Sequence, residues 1–263
     1  MQFEETSWLH EIFSAIQGEG MLVGLRQIFL RFHGCNLACA FCDTPASRAI
    51  QPSLCSIEKY AGVRILDFQS NPMSVSSVVE VIRCLQVGYP HHSVSLTGGE
   101  PLLHVHFLNE LLPALRFAGL SSFLETNGTL ADAFSALQVV PDYVAMDIKL
   151  PSATGLAPCW NMHAAFLATA VARFQSIGEC SMLGHMQIKV VFSEHSLDDV
   201  VRAAELIAAC HPALPCILQP LTPHPSAPPA PSVATVLEAQ RLAACVLKNV
   251  RVIPQTHVIM KQW

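Results

Sequence analysis

The sequence predicts an α/β fold in which about six βα units form an incomplete βα barrel or an open sheet. Short apolar strands alternate with amphipathic helices along most of the chain, and its 263 residues suit one large domain. Alternating βα units give a parallel sheet with right-handed crossovers. The most informative motifs directly follow strands, at the carboxyl ends where both architectures carry their chemistry. We therefore expect a single domain over residues 1–263 with its site at that edge of the sheet.

The predicted strands are short runs of apolar residues, and the predicted helices carry apolar residues at helical spacing. In chain order the strands are Gln27–His33, Ser93–Leu96, Ser122–Glu125, Tyr143–Ile148, Gln187–Phe192, Cys216–Gln219 and Val250–Ile253. The helices between them are Ser76–Gln86, Leu103–Phe117, Leu130–Leu137, Asn161–Phe174, Leu197–Cys210 and Val233–Leu247.

Two segments interrupt this alternation. Residues 45–73 are polar and irregular, which predicts an insertion. Residues 220–231 hold six prolines, which predicts a stiff loop.

Composition and charge exclude several classes of protein. The formal net charge is −5 without a run of Lys or Arg, so a nucleic-acid partner is not expected. Hydrophobic residues make up 51% of the chain, but charge or proline interrupts every apolar stretch before the ~20 residues that a spanning helix needs. The N-terminus carries Glu4 and Glu5 where a signal peptide carries Lys or Arg. We expect a cytoplasmic protein, without a membrane partner, that acts on a small molecule.

Three of the ten cysteines are clustered directly after the first predicted strand, as Cys35-x-x-x-Cys39-x-x-Cys42. In a reducing compartment such a cluster indicates metal binding rather than disulfides. Iron–sulfur cubes usually have four protein ligands, and a fourth cysteine does not lie close by in the sequence. Three thiolates would leave one iron open to bind a substrate or cofactor. A zinc site, or a chance cluster, remains the alternative at this point.

A second motif, Thr97-Gly98-Gly99-Glu100-Pro101, follows the second predicted strand. Alone it could be an ordinary strand-to-helix turn. Together with the cysteine spacing it resembles the radical S-adenosylmethionine superfamily, in which the Gly-Gly-Glu-Pro turn binds the amino group of the cofactor's methionine. The resemblance implies a partial βα barrel of the radical SAM type.

Further motifs along residues 11–257 are similar to those of one family, the 7-carboxy-7-deazaguanine synthases of the queuosine pathway. They are the opening segment 11–20 with Gln17-Gly18-Glu19-Gly20, Cys42-Asp43-Thr44, Glu125-Thr126-Asn127-Gly128-Thr129, Asp147-Ile148-Lys149, Gln219-Pro220 and Pro254-Gln255-Thr256-His257. The cysteine and glycine motifs specify only the superfamily, whereas the Gln-Gly-Glu-Gly, Cys-Asp-Thr and Gln-Thr-His strings together specify the family.

The resemblance implies a radical SAM carbon–nitrogen lyase. Family members convert 6-carboxy-5,6,7,8-tetrahydropterin to 7-carboxy-7-deazaguanine with loss of ammonia. The product is a precursor of a tRNA modification. The implied cofactors are a 4Fe–4S cluster, S-adenosyl-L-methionine and Mg²⁺. The implied partners are the pterin substrate, an external one-electron reductant of the flavodoxin or ferredoxin type, and a second copy of the chain in a homodimer.

The resemblance also assigns roles to individual residues. The cluster ligands are Cys35, Cys39 and Cys42, and Thr44 takes the magnesium position. Residues matching positions near S-adenosylmethionine are Gly98, Gly99, Glu100, Asn127, Lys149 and Gln219. Residues matching the substrate site are Gln17, Glu19, Gly20, Arg31, Thr97 and His257. Among them, Glu19 would accept from ring N–H groups, and Arg31 would bind the substrate carboxylate through its forked guanidinium. No catalytic residue is assigned beyond those that hold the cluster and cofactor.

Each polar residue has a structural alternative when it is taken singly. Arg31 can be an ion-pair partner within the sheet, Asp147 and Lys149 a surface pair, and His257 a structural histidine. Among enzymes the alternative is another radical SAM protein, such as a glycyl-radical activase, because it shares both superfamily motifs. Outside enzymes the alternative is a zinc or iron–sulfur protein that serves structure or electron transfer. Such a protein would not need Gly98-Gly99-Glu100 or Asn127.

Overall fold

Parallel strands form the centre of the structure, a computed structural model that describes residues 4–176, 179–223 and 226–261. The strands are β1 (Thr6–Ser7), β2 (Leu9–Ile16), β3 (Arg26–Phe32), β4 (Leu54–Glu58), β5 (Leu66–Ser70), β6 (Met73–Ser74), β7 (Ser93–Gly98), β8 (Ser122–Thr126), β9 (Tyr143–Ile148), β10 (Met186–Phe192), β11 (Cys216–Pro220) and β12 (Val250–Val252). Ten of them form one sheet in the order β12-β11-β10-β9-β8-β7-β3-β2-β4-β5, and β1 pairs with β6. From β3 to β12, neighbouring strands of this sheet are parallel.

Helices connect the parallel strands. They are α1 (Val75–Gln86), α2 (Val105–Phe117), α3 (Ala131–Ser135), α4 (Pro151–Thr154), α5 (Trp160–Gln175), α6 (Glu179–His185), α7 (Leu197–Cys210), α8 (Val233–Ala244) and α9 (Thr256–Ile259), with 3₁₀ turns at Gly20–Leu22, Pro45–Arg48 and Pro101–His104. Between β3 and β12 the chain therefore passes through six βα units. This confirms the predicted partial barrel of βα units.

The core lies between the sheet and the helices. Apolar side chains of the strands, such as Leu30, Leu96 and Ile188, pack with helix residues such as Leu108 and Phe166 in one buried cluster. Several helix pairs also pack against each other, including α1 with α2, α3 with α5, and α7 with α8. The other face of the sheet carries buried polar residues, including Gln27 and Lys189. This polar face of the sheet carries residues of the site described below.

The N-terminal part of the sheet differs from the expectation. Strand β2, which the alternation of βα units does not predict, is antiparallel to β3, and it lies parallel to β4. The segment 45–73, predicted to be irregular, contains the antiparallel hairpin of β4 and β5, which extends the sheet to its edge. All five residues of β5 are exposed, so this strand lacks the apolar–polar alternation that marks a half-buried strand.

The proline-rich segment has neither helix nor strand at residues 221–223 and 226–231, while His224 and Pro225 lie outside the described residues. Among the helices of the described ranges, none has both the length and the apolar character needed to cross a membrane.

Candidate active site

A cavity of about 420 Å³ opens at the carboxyl ends of the parallel strands. It brings together residues that are far apart in the sequence, from the cysteine loop, the strand ends and the C-terminal segment. The predicted site residues that line it are Gln17, Glu19, Arg31, Cys35, Cys39, Cys42, Thr44, Thr97, Gly98, Gly99, Asn127, Lys149, Gln219 and His257. Two predicted residues, Gly20 and Glu100, lie behind the lining.

The three clustered cysteines are free thiols that line one side of the cavity. Burial raises the pKa of the Cys35 and Cys39 thiols, so a metal that binds the thiolate would have to displace their protons. Across the three described ranges, no three His, Cys, Asp or Glu side chains are arranged to hold a single metal ion. A cube has another geometry, because each thiolate binds a different iron. Three free thiols around one cavity fit that ligand set.

The cysteine loop is fixed by backbone bonds to the Gly98-Gly99-Glu100 turn. Gly34, at the start of the loop, accepts from the backbone N–H of Glu100 at 2.7 Å and donates to the carbonyl of Ser47 at 2.7 Å. A Cβ on Gly99 would clash with the carbonyl oxygen of Gly34. Gly98 has a φ of +117° and passes close to the backbone of Phe32. The two glycines are therefore required for the close contact of the two motifs.

Glu100 supports the cavity from behind. Its carboxylate is fully buried and accepts from the backbone N–H of Asn127 at 2.7 Å, the Thr126 hydroxyl at 2.8 Å and the Leu102 N–H at 3.1 Å. Burial raises the pKa of Glu100 to about 7, although these hydrogen bonds oppose the shift. The structure thus assigns this carboxylate to the junction between β7 and β8.

Asn127 joins the β8 end to the cysteine loop. Its Nδ2 donates to Oδ1 of Asn36 at 2.8 Å, and the Asn36 amide donates to the Thr129 hydroxyl at 2.9 Å. The Oδ1 of Asn127 accepts from the Thr129 hydroxyl at 2.6 Å and its N–H at 3.1 Å. The side chain of Asn127 therefore shapes the loops while the residue lines the cavity.

Four charged side chains of alternating sign cross the floor of the cavity. Glu19 forms an ion pair with Lys189, and the Lys189 Nζ lies 3.3 Å from Oδ1 of Asp147. The other oxygen of Asp147 lies 2.6 Å from Nζ of Lys149. Burial disfavours the charged lysines, but the nearby carboxylates outweigh it and raise the pKa of both Lys149 and Lys189. Both lysines therefore stay charged at neutral pH.

Glu19 is the most heavily bonded acceptor of the cavity. One of its oxygens accepts from the Gln255 amide at 2.7 Å and the Gln219 amide at 3.2 Å, while the other faces Lys189. Burial opposes ionisation of Glu19, but Lys189 and the hydrogen bond from Gln255 lower its pKa to about 2. Within the described part of the chain, the buried Oε1 of Gln219 has no hydrogen-bond partner. It is an acceptor available to a bound ligand.

Gln17 continues the polar network. Its amide donates to Gln27 at 2.9 Å and to Glu125 at 3.1 Å, and its Oε1 accepts from the N–H of Glu19 at 3.1 Å. Glu125 also accepts from the Ser95 hydroxyl at 2.6 Å. Burial raises the pKa of Glu125 despite the nearby Lys189.

Arg31 and Glu11 form an ion pair with Nε 2.5 Å from the carboxylate, and the guanidinium lies over the ring of Phe13. The predicted structural pairing of Arg31 is therefore present, and the residue also lines the cavity.

Gly20 has a φ of +67° and packs against the side chain of Gln187. It shapes the segment that carries Glu19.

The C-terminal segment closes one side of the cavity. The N–H and hydroxyl of Thr256 donate to the Gly18 carbonyl at 2.9 and 3.1 Å. His257 then lies against Gly18, where a Cβ would clash with its ring. The close approach of these segments explains the glycine at position 18.

Several polar residues line the cavity without having been predicted as site residues, among them Glu125, Asp147, Gln255 and Lys189. Glu125, Asp147 and Gln255 stand in motifs that the family resemblance already singled out, and that signal could have found them. Lys189 has no local motif, since it stands in the middle of an apolar strand. It joins the site only through the register of β10 with β9, where it pairs with Asp147.

The chain matches the model of the radical SAM superfamily over residues 29–178. It is 42% identical over 257 residues to the 7-carboxy-7-deazaguanine synthase of Geobacter sulfurreducens, and the alignment covers 97% of each chain. The chain belongs to the 7-carboxy-7-deazaguanine synthase family. A synthase of this name from Thermococcus kodakarensis is 33% identical over 258 residues, with 94% of this chain and 95% of the relative covered.

Among solved structures, the fold is similar to the crystal structure of QueE from Escherichia coli. The TM-score is 0.57 at 21% sequence identity, and the match covers 94% of this chain and 93% of the other. The structure of TYW1 with a lysine–pyruvate adduct bound gives a TM-score of 0.50 at 13% identity. At these identities the similarity supports the radical SAM fold. Membership of the synthase family rests on the sequence relatives.

Membership of the superfamily implies a 4Fe–4S cluster and S-adenosylmethionine. The chemistry of the cavity fits both groups. Three free thiols offer the cluster three ligands. The backbone of Gly98 and Gly99 lines the cavity beside them. The Gln219 oxygen that has no hydrogen-bond partner and the charged side chains of the cavity can make polar contacts with a zwitterionic cofactor.

Proposed function

We propose that the protein is a radical SAM lyase that converts 6-carboxy-5,6,7,8-tetrahydropterin to 7-carboxy-7-deazaguanine with loss of ammonia. The observation that carries the proposal is the single cavity in which the three thiols meet Glu19, Arg31 and His257. Glu19 and His257 come from the motifs that distinguish the family from the rest of the superfamily.

Cys35, Cys39 and Cys42 would hold the cluster, and Gly98, Gly99, Asn127, Lys149 and Gln219 would hold S-adenosylmethionine beside it. When bound, these groups supply the radical chemistry, whereas the protein supplies position and exclusion of water. Glu100 acts on this half of the cavity indirectly, by fixing the N–H of Asn127.

The other half of the cavity would bind the pterin, with Gln17 and Thr97 beside it. Glu19 is ionised and can accept from the N–H groups of the ring. Arg31 uses its Nε for Glu11, and its outer nitrogens can still bind a carboxylate from the cavity side. Phe13 and Phe29 stack with ring centroids 5.2 Å apart and add an apolar wall. Gly20 fixes the backbone that carries Glu19, and His257 closes the pocket next to Gly18.

A magnesium ion at Thr44 is part of the proposal. The residue lines the cavity next to Cys42, and a hydroxyl oxygen suits a hard cation that keeps several water ligands. The external one-electron reductant of flavodoxin or ferredoxin type and the homodimer also remain proposals.

The proposed function is tested by an anaerobic assay. Reconstituted protein is mixed with reductant, S-adenosylmethionine, magnesium and 6-carboxy-5,6,7,8-tetrahydropterin, and the products are identified by mass. We expect 7-carboxy-7-deazaguanine and 5′-deoxyadenosine. Formation of 5′-deoxyadenosine with this pterin but without the deazaguanine would contradict the proposed substrate.

The matched variants are Cys39→Ala and Cys84→Ala. Cys39 lines the cavity, whereas Cys84 is exposed on α1. We expect Cys39→Ala to lose the cluster absorption and both products, and Cys84→Ala to behave as the wild type. Retained cofactor cleavage in Cys39→Ala would refute the cluster assignment.

A further inference from the structure

Lys189 is a buried cation that contacts two carboxylates from different parts of the chain. Glu19 comes from the segment after β2, and Asp147 comes from β9. The register of β9 with β10 sets Lys189 beside Asp147, so both side chains leave the same face of the sheet. The Lys189 side chain is only 11% exposed. Solvent therefore does little to screen its interactions.

Asp147 extends this contact to a second lysine. Its two oxygens are divided between Lys189 and Lys149, at 3.3 and 2.6 Å. Each interior member of the series Glu19–Lys189–Asp147–Lys149 therefore has an opposite charge on both sides. A buried charge without a partner of opposite sign is costly. If one member of the series moves, its neighbour therefore has to pair more closely with the member on its other side.

The two ends of the series reach different parts of the cavity. Glu19 lies with Gln255 at the end proposed for the pterin. Lys149 lies 5.5 Å from the centre of the Phe41 ring in the cysteine loop, at the end proposed for S-adenosylmethionine. A ligand that binds at one end can therefore change the ion pairs at the other end without contacting the second ligand.

Building on the proposed function, we infer that Lys189 is a positioning residue that couples pterin binding to S-adenosylmethionine binding through Asp147 and Lys149. A pterin N–H that binds Glu19 competes with Lys189 for the carboxylate. Lys189 then interacts more strongly with Asp147. As a result Asp147 binds Lys149 less strongly, and the ammonium group of Lys149 can bind an anionic group of the cofactor. The two ligands therefore favour each other's binding, and the coupling is reciprocal.

The test measures binding without turnover. The dissociation constant of S-adenosylmethionine is measured by calorimetry on the reconstituted protein, without reductant, in the presence and absence of 6-carboxy-5,6,7,8-tetrahydropterin. We expect the pterin to tighten cofactor binding about tenfold, within the usual range of such couplings. In Lys189→Met this ratio falls to about one, and Lys189→Arg keeps most of it. Lys248→Met, which removes an exposed cation, keeps the wild-type ratio.

A second variant protects the test against misfolding of Lys189→Met. Asp147→Asn breaks the series at its centre and leaves the pair of Glu19 and Lys189 intact, and circular dichroism checks its fold. We expect the same loss of coupling. A wild-type ratio in folded Asp147→Asn or Lys189→Met would overturn the inference. So would a ratio of one in a wild-type protein that binds the pterin and forms product. A wild-type protein that fails to bind the pterin would instead overturn the proposed function, and the inference with it.

Discussion

The backbone of Thr44 is fixed next to the last cysteine of the cluster motif. Its carbonyl accepts from the Ser47 N–H at 3.0 Å and from the Ser47 hydroxyl at 2.7 Å. Its own hydroxyl lies 3.9 Å from the Cys42 sulfur. The hydroxyl therefore lies at the border between the thiols and the rest of the cavity, where the magnesium ion is proposed to bind.

We predict that Thr44→Ala raises the magnesium concentration for half-maximal activity about tenfold, which corresponds to about 1.4 kcal/mol of binding free energy. Cluster absorption should be unchanged, since Thr44 contributes no thiolate. Thr44→Ser is the matched control, because it keeps the hydroxyl and should keep the wild-type response. The measurement is the rate of product formation against magnesium concentration. An unchanged response in Thr44→Ala would remove this residue from the magnesium site.

At the scale of residues, the sequence predicted best where a motif is contiguous. Cys35, Cys39 and Cys42 share one loop, and all three line the cavity. Glu100 shows the limit of a motif, because the pattern names the residue without showing that its carboxylate turns inward to Asn127 and Thr126. Lys189 marks the opposite limit. Its role depends on strand register, which a single sequence does not contain.

Helix α5 holds two strand ends together through one side chain. His163 is fully buried, and its Nε2 accepts from the backbone N–H of Lys149 at 3.0 Å. The other nitrogen, Nδ1, therefore carries the proton and donates to the Gly128 carbonyl at 3.0 Å. The neutral ring thus joins the loops that follow β8 and β9. Burial lowers the pKa of His163 to about 4.

We predict that His163 makes folding stability depend on pH between about 6.5 and 4. The unfolded chain binds a proton at this residue in that range and the folded chain does not, so stability falls as pH falls. The full effect of the pKa difference is about 3 kcal/mol. The measurement is the free energy of unfolding by urea at several pH values.

His163→Gln is the test variant, because the amide can donate and accept without titrating. We expect its stability to lose this part of the pH dependence, whereas the exposed His106→Gln keeps the wild-type curve. Parallel curves for wild type and His163→Gln would contradict the prediction.

At the scale of elements, strongly periodic segments were predicted with their true bounds. The predicted bounds Tyr143–Ile148 and Leu197–Cys210 are those of β9 and α7. The apolar residues of α7 form one buried face and most of β9 is buried, so the pattern of apolar residues is clear in both segments. Strands β4 and β5 were missed. Every residue of β5 is exposed, so burial left no pattern in that sequence. Strand β2 was not predicted as a strand, and the sequence singled out its residues only as part of a family motif.

The hairpin of β4 and β5 places an apolar surface at the edge of the whole molecule. Phe68 pairs with Ser56, Ser56 with Glu11, and Glu11 with Arg31 across neighbouring strands. These side chains therefore share the face of the sheet that lines the cavity. Leu54, Leu66 and Phe68 on that face are 50, 40 and 55% exposed. Strand β5 also ends the sheet, which leaves a backbone edge for pairing with another strand.

We predict that the proposed homodimer pairs β5 of one copy with β5 of the other around a twofold axis. A pairing centred on Phe68 sets the Asp67 side chain opposite Gln69 of the second copy, and this arrangement is self-complementary. Phe68→Lys should weaken the dimer roughly 30-fold, by about 2 kcal/mol. The measurement is sedimentation equilibrium over a range of concentrations.

Phe117→Lys is the control, since Phe117 is 92% exposed on another element, α2. It should leave the association constant unchanged. A wild-type monomer at micromolar concentration, or equal weakening by both variants, would contradict this interface.

The anchoring of the cysteine loop bears on how the protein matures in the cell. Gly34 is bonded to Ser47 and Glu100, and Ala40 donates to the Thr154 carbonyl at 2.9 Å. These bonds come from three separate segments and involve no thiol. Bonds that do not involve the thiols therefore hold the loop to three segments of the chain. Because Thr154 belongs to α4, we expect cluster insertion to require that the chain has been synthesised and folded at least as far as that helix.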